Sequence, residues 1–345
     1  MKDLSREPAA AATQHKKLKG LSQRDFAASE AMSSTPMTPS SADPDDVSSA
    51  WMLAREGRPA FVFAHQDDET VLAGLMHRIV GDGQRGTFIW WTNGDGLAPA
   101  VGADPSAYAS IRVAEATESL RALGADPAHK VDLWSSEIEN YRKMTEVALP
   151  KRSKVALDYF RAEAGRLDAA IRRADPDRVF VLAWQGGHPE HDLVHLMTAR
   201  TVRQLRRETG RPIPIIQAPA YEYVILCALR FKPWFRGDVR RFALSEEERA
   251  AKQRVFEAYP SQAALFEKFR WVIRGAGALS ALRGKPFGTE VYLGTEQLGV
   301  VDPRQDYTAS SHRLEALNYI RDDFEGTPIR FDTMIRPVAA ALLAG

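Results

Sequence analysis

The sequence predicts an α/β protein: a three-layer sandwich on a mostly parallel sheet, with a C-terminal elaboration. Three observations carry this. Short apolar runs that fit buried strands recur at residues 60–64, 87–92, 131–134, 178–183 and 212–216. Segments with apolar residues at helical spacing lie between them, the alternation that marks βαβ units. Two of the runs end in loops loaded with histidine and carboxylate, where open α/β sheets place their sites.

Residues 1–50 carry Ala-rich, Lys-rich and Ser/Thr/Pro-rich patches and few large apolar side chains. Such a stretch cannot bury enough surface to offset its ordering entropy, so it is expected to be a disordered tail. Residues 51–220 are expected to form the catalytic core. Its first strand, 60–64, leads into His65, Asp67, Asp68 and Glu69, and Val71, Leu72 and Leu75 then follow at helical spacing. The second strand, TFIWWT, ends in the turn Asn93–Gly96, rich in residues that accept unusual backbone angles. Helices are expected at 107–123, where Ile111, Ala114, Leu120 and Leu123 share a face before Gly124, and at 155–174 and 193–205. Beyond about residue 219 the alternation fades. Residues 221–229 read as strand or helix, 246–256 and 262–273 as helices, and 290–293 as a strand. This segment, 221–345, is expected to pack on the core and wall the site.

The fourth strand runs into Trp184, Gln185, Gly186, Gly187, His188, Pro189, Glu190 and His191. With a strand order 3-2-1-4-5, the first and fourth strands are neighbours and both loaded loops open at the topological switch point. His65, Asp68 and His191 then supply two imidazoles and a carboxylate to one metal, with positions left for water and substrate. A metal lowers the pKa of bound water toward ~7 and polarises a carbonyl. Asp67 is placed to take the water's proton, and His188 to stabilise an oxyanion or protonate a leaving amine. Glu190 is a candidate to orient His188. His195, one helical turn after His191, reads as a surface residue or a supporting partner. His15, His77, His129 and His312 lack such company and read as structural or exposed.

AHQDDETVLAG closely resembles the AHPDDE motif of the PIG-L / LmbE-like deacetylases, and GHPEH resembles that family's HPDH motif. The turn Asn93–Gly96 and the Arg112/Glu115 pair also look like family features. The resemblance covers roughly residues 58–225. It implies a Rossmann-like fold and a zinc-dependent N-deacetylase acting on N-acetylglucosamine-type sugars. Carried over, it gives His65, Asp68 and His191 as ligands, Asp67 as base, and His188 as acid or oxyanion partner supported by Glu190. It also gives Arg112 as a holder of sugar hydroxyls, with Asp95 a softer candidate. Gln66 stands where the family has proline, and Glu190 where it has aspartate. The same ligands accept ferrous iron as well as zinc.

Composition sets the remaining bounds. The 345 residues are 44% hydrophobic and 26% charged, ordinary globular values. A net charge of +1 argues against a general nucleic-acid binder, and the partner that the resemblance implies is a small N-acetylated sugar or glycoconjugate. The single cysteine, Cys227, excludes an intrachain disulfide and a cysteine-only zinc cluster. No run approaches a membrane span, and the N-terminus lacks the apolar core of a signal peptide, so the cytoplasm is the expected compartment. The rival chemistry is a non-haem iron oxygenase using His65, Asp67 and His191 as its triad. Such enzymes are usually β-jelly rolls, against the alternation seen here. A dinucleotide-binding module lacks support, because no GxGxxG follows the first strand. Finally, Arg230, Lys232, Arg236, Arg240 and Arg241 cluster beside Trp234 and Phe235. They read either as a solvated basic loop or as a substrate wall.

Overall fold

The computed structural model describes residues 48–81, 86–222, 227–232, 235–282 and 288–344. Nearly all of the expected tail, and Trp234, therefore lie outside the described residues. The main sheet has seven strands: β1 (Pro59–Phe63), β2 (Thr87–Thr92), β3 (Lys130–Ser135), β4 (Arg178–Leu182), β5 (Ile215–Ala218), β6 (Asp238–Ala243) and β7 (Thr295–Val300). Their order is β3-β2-β1-β4-β5-β7-β6. The first five are parallel; β7 pairs antiparallel with both β5 and β6.

The apolar runs are continuous because both faces of the parallel strands are covered. On β1 the alternation sorts side chains cleanly. Ala60 and Val62 enter a core built with α4 (Ser153–Ala174), α5 (Pro189–Thr209) and α8 (Arg336–Leu343). Phe61 and Phe63 enter the opposite core with α1 (Ala73–Val80), α2 (Pro105–Leu123) and α6 (Glu246–Glu257). Phe61 stacks on Phe88 and Phe180 of the flanking strands, with centroids 5.3 and 4.7 Å away.

Two elements depart from expectation. Residues 290–293 belong to a helical turn, Thr289–Leu293, and the strand follows it as β7. Glu296 and Gln297 hide β7 from an apolar reading, yet both are buried. Glu296 accepts from the amides of Gly74 and Leu75 at the start of α1 and pairs with Lys252 Nζ at 2.6 Å. Helix α3 (Glu137–Val147) was not expected, because its sequence EIENYRKMTEV has few apolar positions.

β1 and β4 are adjacent, and the chain leaves them in opposite directions across the sheet. The switch point therefore lies between them, with the loops 64–70 and 183–189 at its mouth. No described helix is long and apolar enough to cross a membrane.

Candidate functional site

The loop after β1 is organised by Asp68. Its Oδ2 accepts from the amides of Ala64 (2.9 Å) and His65 (2.8 Å), which closes the turn and aims Oδ1 away from the backbone. Asp67 sits at φ 111°, a conformation L-residues rarely adopt, and carries its carboxylate into the cavity. Strain of this kind persists where surrounding structure fixes it. Here Glu69 Oε2 accepts from the Asp67 amide at 3.2 Å, while Glu69 Oε1 accepts from Ser119 and Tyr259. Burial pushes the Asp67 carboxyl up to about 7, against the opposing pull of Arg112.

The loop after β4 ends at α5, with His188 as N-cap and Pro189 in the first turn, where a missing N–H is harmless. His191 therefore lies on the first helical turn, facing back into the switch point. Asp192 holds the loop: it accepts from the amides of Gln185 and Gly186, both at 3.0 Å, and from Tyr319 Oη at 2.6 Å.

The two loops bring His65, Asp68 and His191 together. His65 Nδ1 lies 3.1 Å from His191 Nε2; Asp68 Oδ1 lies 3.1 Å from His191 Nε2 and 3.7 Å from His65 Nδ1. Three atoms each ~2.1 Å from one ion stand roughly 3–3.5 Å apart, so this donor set fits a tetrahedral-type centre. The hydrogen bonding agrees. Glu190 Oε2 sits 2.8 Å from His65 Nε2, which places the ring hydrogen there and leaves a lone pair on Nδ1. Burial alone would raise Asp68, but His191 and His65 hold it well below the usual carboxylate range. Two other groupings have ligand atoms close enough for an ion: His65/His188/His191 and His65/Glu137/Glu190. Of their extra members, Glu137 and Glu190 are engaged elsewhere and, among the described residues, His188 is engaged through Nε2 alone. His188 Nε2 faces Tyr141 at 3.1 Å, and Glu190 Oε1 accepts from Asn140 at 2.8 Å.

The sequence profile described as PIG-L: GlcNAc-PI de-N-acetylase matches residues 60–202, the span that contains both loops. Residues 60–202 are a PIG-L domain. Over 73% of this chain the fold is similar to that of the A40926 pseudoaglycone deacetylase Dbv21, all of which is covered: TM-score 0.50, 17% identity, 100% of that chain. It is also similar to a deacetylase-bog complex from the teicoplanin pathway: TM-score 0.52, 17% identity, 72% and 100%. A deacetylase-teicoplanin complex from that pathway gives TM-score 0.50 and 17% identity over the same shares. None of the curated proteins matches the chain by sequence.

Several of the expected assignments change within the PIG-L domain. Glu190 does not orient His188; its two oxygens serve His65 and Asn140. Arg112 is buried and committed to protein partners: Asp67 Oδ2 at 3.0 Å, Glu115 at 3.1 Å, Ser261 at 3.2 Å and the carbonyl of Gln66. It steadies the Asp67 carboxylate and also lines the cavity, with both terminal nitrogens engaged by protein groups. Asp95 is a helix anchor. Its Oδ1 accepts from the amide of Glu137 at 2.8 Å and its Oδ2 from Ser136 Oγ at 2.6 Å, both at the start of α3. Asp68 rather than Asp67 brings its carboxylate oxygen to both imidazoles, while Asp67 pairs with Arg112, so the triad that converges is not the one an oxygenase built on Asp67 would use. Gln66, in the family's proline position, restrains the turn differently: its side chain donates to Thr92 O at 2.7 Å.

His195 is neither exposed nor a ligand. Its Nδ1 donates to Leu182 O at 2.7 Å, and its Nε2 accepts from Tyr307 Oη at 3.1 Å. The basic cluster also leaves the site. Arg240 and Arg241 lie on the edge strand β6, where charge discourages pairing with another chain. Lys232 is buried, with Nζ donating to Ser311 O at 2.5 Å, and Arg236 is exposed. None of the five basic residues lines the cavity.

That cavity has a volume of about 600 Å³. Its floor is His65, Asp67, Asp68, His188 and His191. One wall comes from α7 (Ala263–Ala281), where Leu265, Phe266, Phe269 and Ile273 face inward. Tyr221 links floor to wall, 5.3 Å from His191 and 5.8 Å from Phe269 by ring centroids. Sequence reading missed Tyr141, Glu137 and Asp322, which also line it. Tyr141 and Glu137 sit on the unexpected helix α3. Asp322 lies in an irregular segment that carries no motif.

Proposed function

We propose that this chain is a divalent-metal-dependent hydrolase that removes an acyl group, acetyl first, from the nitrogen of an amino-sugar conjugate. The observation that carries the reading is the convergence of Asp68 Oδ1, His65 Nδ1 and His191 Nε2 within 3.1–3.7 Å, with Asp67 beside them in one cavity. The PIG-L profile, described as a GlcNAc-PI de-N-acetylase, supports the same chemistry.

His65, Asp68 and His191 would hold the ion; zinc and ferrous iron both suit two imidazoles and a carboxylate. Bound there, it would lower the pKa of a water and polarise the amide carbonyl. The chain's own residues supply the proton traffic. Asp67, steadied by Arg112, accepts the proton of the attacking water. The water oxygen bonds to the acyl carbon, the C–N bond breaks, and the nitrogen leaves as an amine carrying the proton that Asp67 took from the water. His188, in the same cavity and 4.7 Å from both His65 and His191 by ring centroids, meets the developing charge or that nitrogen.

The wall chooses between a bare sugar and a conjugate. Leu265, Phe266, Phe269 and Ile273 offer an apolar face within one ring of the floor. Such a face suits an apolar substituent on the sugar. The test is amine release across a panel of N-acetylated amino sugars and their conjugates, with and without chelator, and with metal analysis alongside. Chelator-sensitive amine release is the expected result. Stoichiometric metal with no amine from any member, or turnover indifferent to chelation, would sink the reading.

A further inference from the structure

We infer that Tyr141 and Asp322 are positioning residues for His188: they occupy its Nε2 and leave Nδ1 to the reacting group. Tyr141 Oη lies 3.1 Å from His188 Nε2 and donates its hydrogen to Asp322 Oδ1, also at 3.1 Å. A hydroxyl has one hydrogen, and this one goes to the carboxylate. With Asp322 ionised, His188 Nε2 is the donor to Tyr141 Oη, which sets the ring in its Nε2–H form, so Nδ1 carries a lone pair and serves as an acid or oxyanion partner only after it has taken a proton. The other nitrogen, Nδ1, is buried with no hydrogen-bond partner among the described residues.

Asp322 comes from outside the PIG-L domain, and its segment is clamped to the loop that carries His188. The Tyr319 amide donates to Gly186 O at 2.8 Å, and Tyr319 Oη donates to Asp192 at 2.6 Å. Gly186 has φ +74°, and a Cβ there would stand 2.1 Å from Asn318 Oδ1, so the Asn318 side chain of this segment lies directly against the loop backbone. Asp322 is tied back through its own amide to Tyr319 O at 2.9 Å and receives the Ile329 amide at 3.0 Å. His188 and its remote carboxylate therefore sit on one braced unit. The carboxylate of the GHPEH loop is spent on His65, so the C-terminal segment supplies the one that serves His188.

The kinetic consequence rests on the hydrolase reading; the ring-form consequence does not. The test uses Tyr141→Phe, Asp322→Asn and the double variant, with ¹⁵N-imidazole NMR of His188 assigned by His188→Asn. In the unaltered protein His188 should show an Nε2–H signal. In each variant that signal should shift or give way to the other ring form. Each single variant should lower kcat by about 10-fold or more, with KM within about twofold and metal content unchanged. The double variant should be no worse than the worse single, because the two residues act through one chain. Unchanged His188 nitrogen shifts would overturn the inference, as would losses that multiply in the double variant or fall only on KM. Should Tyr141→Phe fold poorly by melting temperature, Asp322→Asn alone decides both readouts. If the protein cleaves no amide at all, the hydrolase reading fails while the NMR arm still tests the ring form.

Discussion

Glu190 Oε2 lies 2.8 Å from Nε2 of His65, across the two loops that open at the switch point. The contact joins the GHPEH loop to a candidate ligand on the other loop. It leaves Nδ1 as the nitrogen of His65 that would face an ion, and Asn140 in turn holds the far oxygen of Glu190 at 2.8 Å. Glu190→Gln keeps the shape but weakens the pull on the His65 ring. We expect metal affinity to fall ~10–100-fold, with turnover largely recovered at saturating metal. Metal titration by calorimetry, run beside the assay, checks this. Unaltered affinity with turnover lost at saturating metal would instead assign Glu190 to the proton traffic.

Asp67→Asn should retain the ion and lose turnover by ~10²–10⁴-fold, the usual worth of general-base assistance. Arg112→Met should lose activity for a related reason and also lower stability. Its guanidinium is buried against Asp67 and Glu115, and breaking a buried pair by removing one partner costs about 3–5 kcal/mol. Turnover and denaturant unfolding of both variants provide the measurement. Wild-type stability in Arg112→Met would mean that the pair is not held as described.

The parts of the site legible in the sequence are the local ones. His65 and Asp68 are three residues apart on a strand-end turn, so their convergence follows from the strand–turn–helix pattern. His191 follows a second such pattern, and only the strand order had to be supplied. The misread roles were settled by partners far along the chain. Arg112 reaches back to Asp67, Asp95 reaches ahead to the start of α3, and Glu190 reaches back to His65. Nothing in the nearest neighbours of these residues names those partners. The fold shows the same division. The parallel strands are apolar throughout and easy to see, whereas β7 carries Glu296 and Gln297 inward to partners on other elements.

His195 makes stability pH-dependent in a way that can be isolated. Burial pushes its pKa down to about 4, from an unfolded value near ~6.5. Between those values the unfolded chain binds a proton that the native chain does not. Stability therefore rises with pH across that window, and its full contribution is present only above the unfolded pKa. A shift of this size corresponds to roughly 3 kcal/mol lost by the time pH falls through 4. His195→Asn keeps a donor for Leu182 O and removes the titration. The difference between the two proteins in urea unfolding, measured with chelator at pH 7 and at pH 4.5, should shrink or reverse toward acid. A constant difference would show that His195 is not held neutral.

The apolar wall predicts which substrates are favoured. Phe269 lies 5.8 Å from Tyr221, which is itself 5.3 Å from His191, so an apolar group within about a sugar's length of the scissile amide meets α7. Burying a Phe-sized apolar surface is worth about 1.5–3 kcal/mol, and each 1.4 kcal/mol is tenfold in kcat/KM. Two series separate the sources of that group. In one, glucosamine carries N-acyl chains of increasing length; in the other, N-acetylglucosamine carries alkyl glycosides of increasing length. The series whose kcat/KM climbs with length identifies the substituent that lies on the wall. Phe269→Ala should flatten that climb and leave free N-acetylglucosamine unaffected, since the floor residues are untouched. An equal loss on short and long members would mean that Phe269 supports the fold of α7. Flat series in the unaltered protein would mean that the wall meets no part of the substrate.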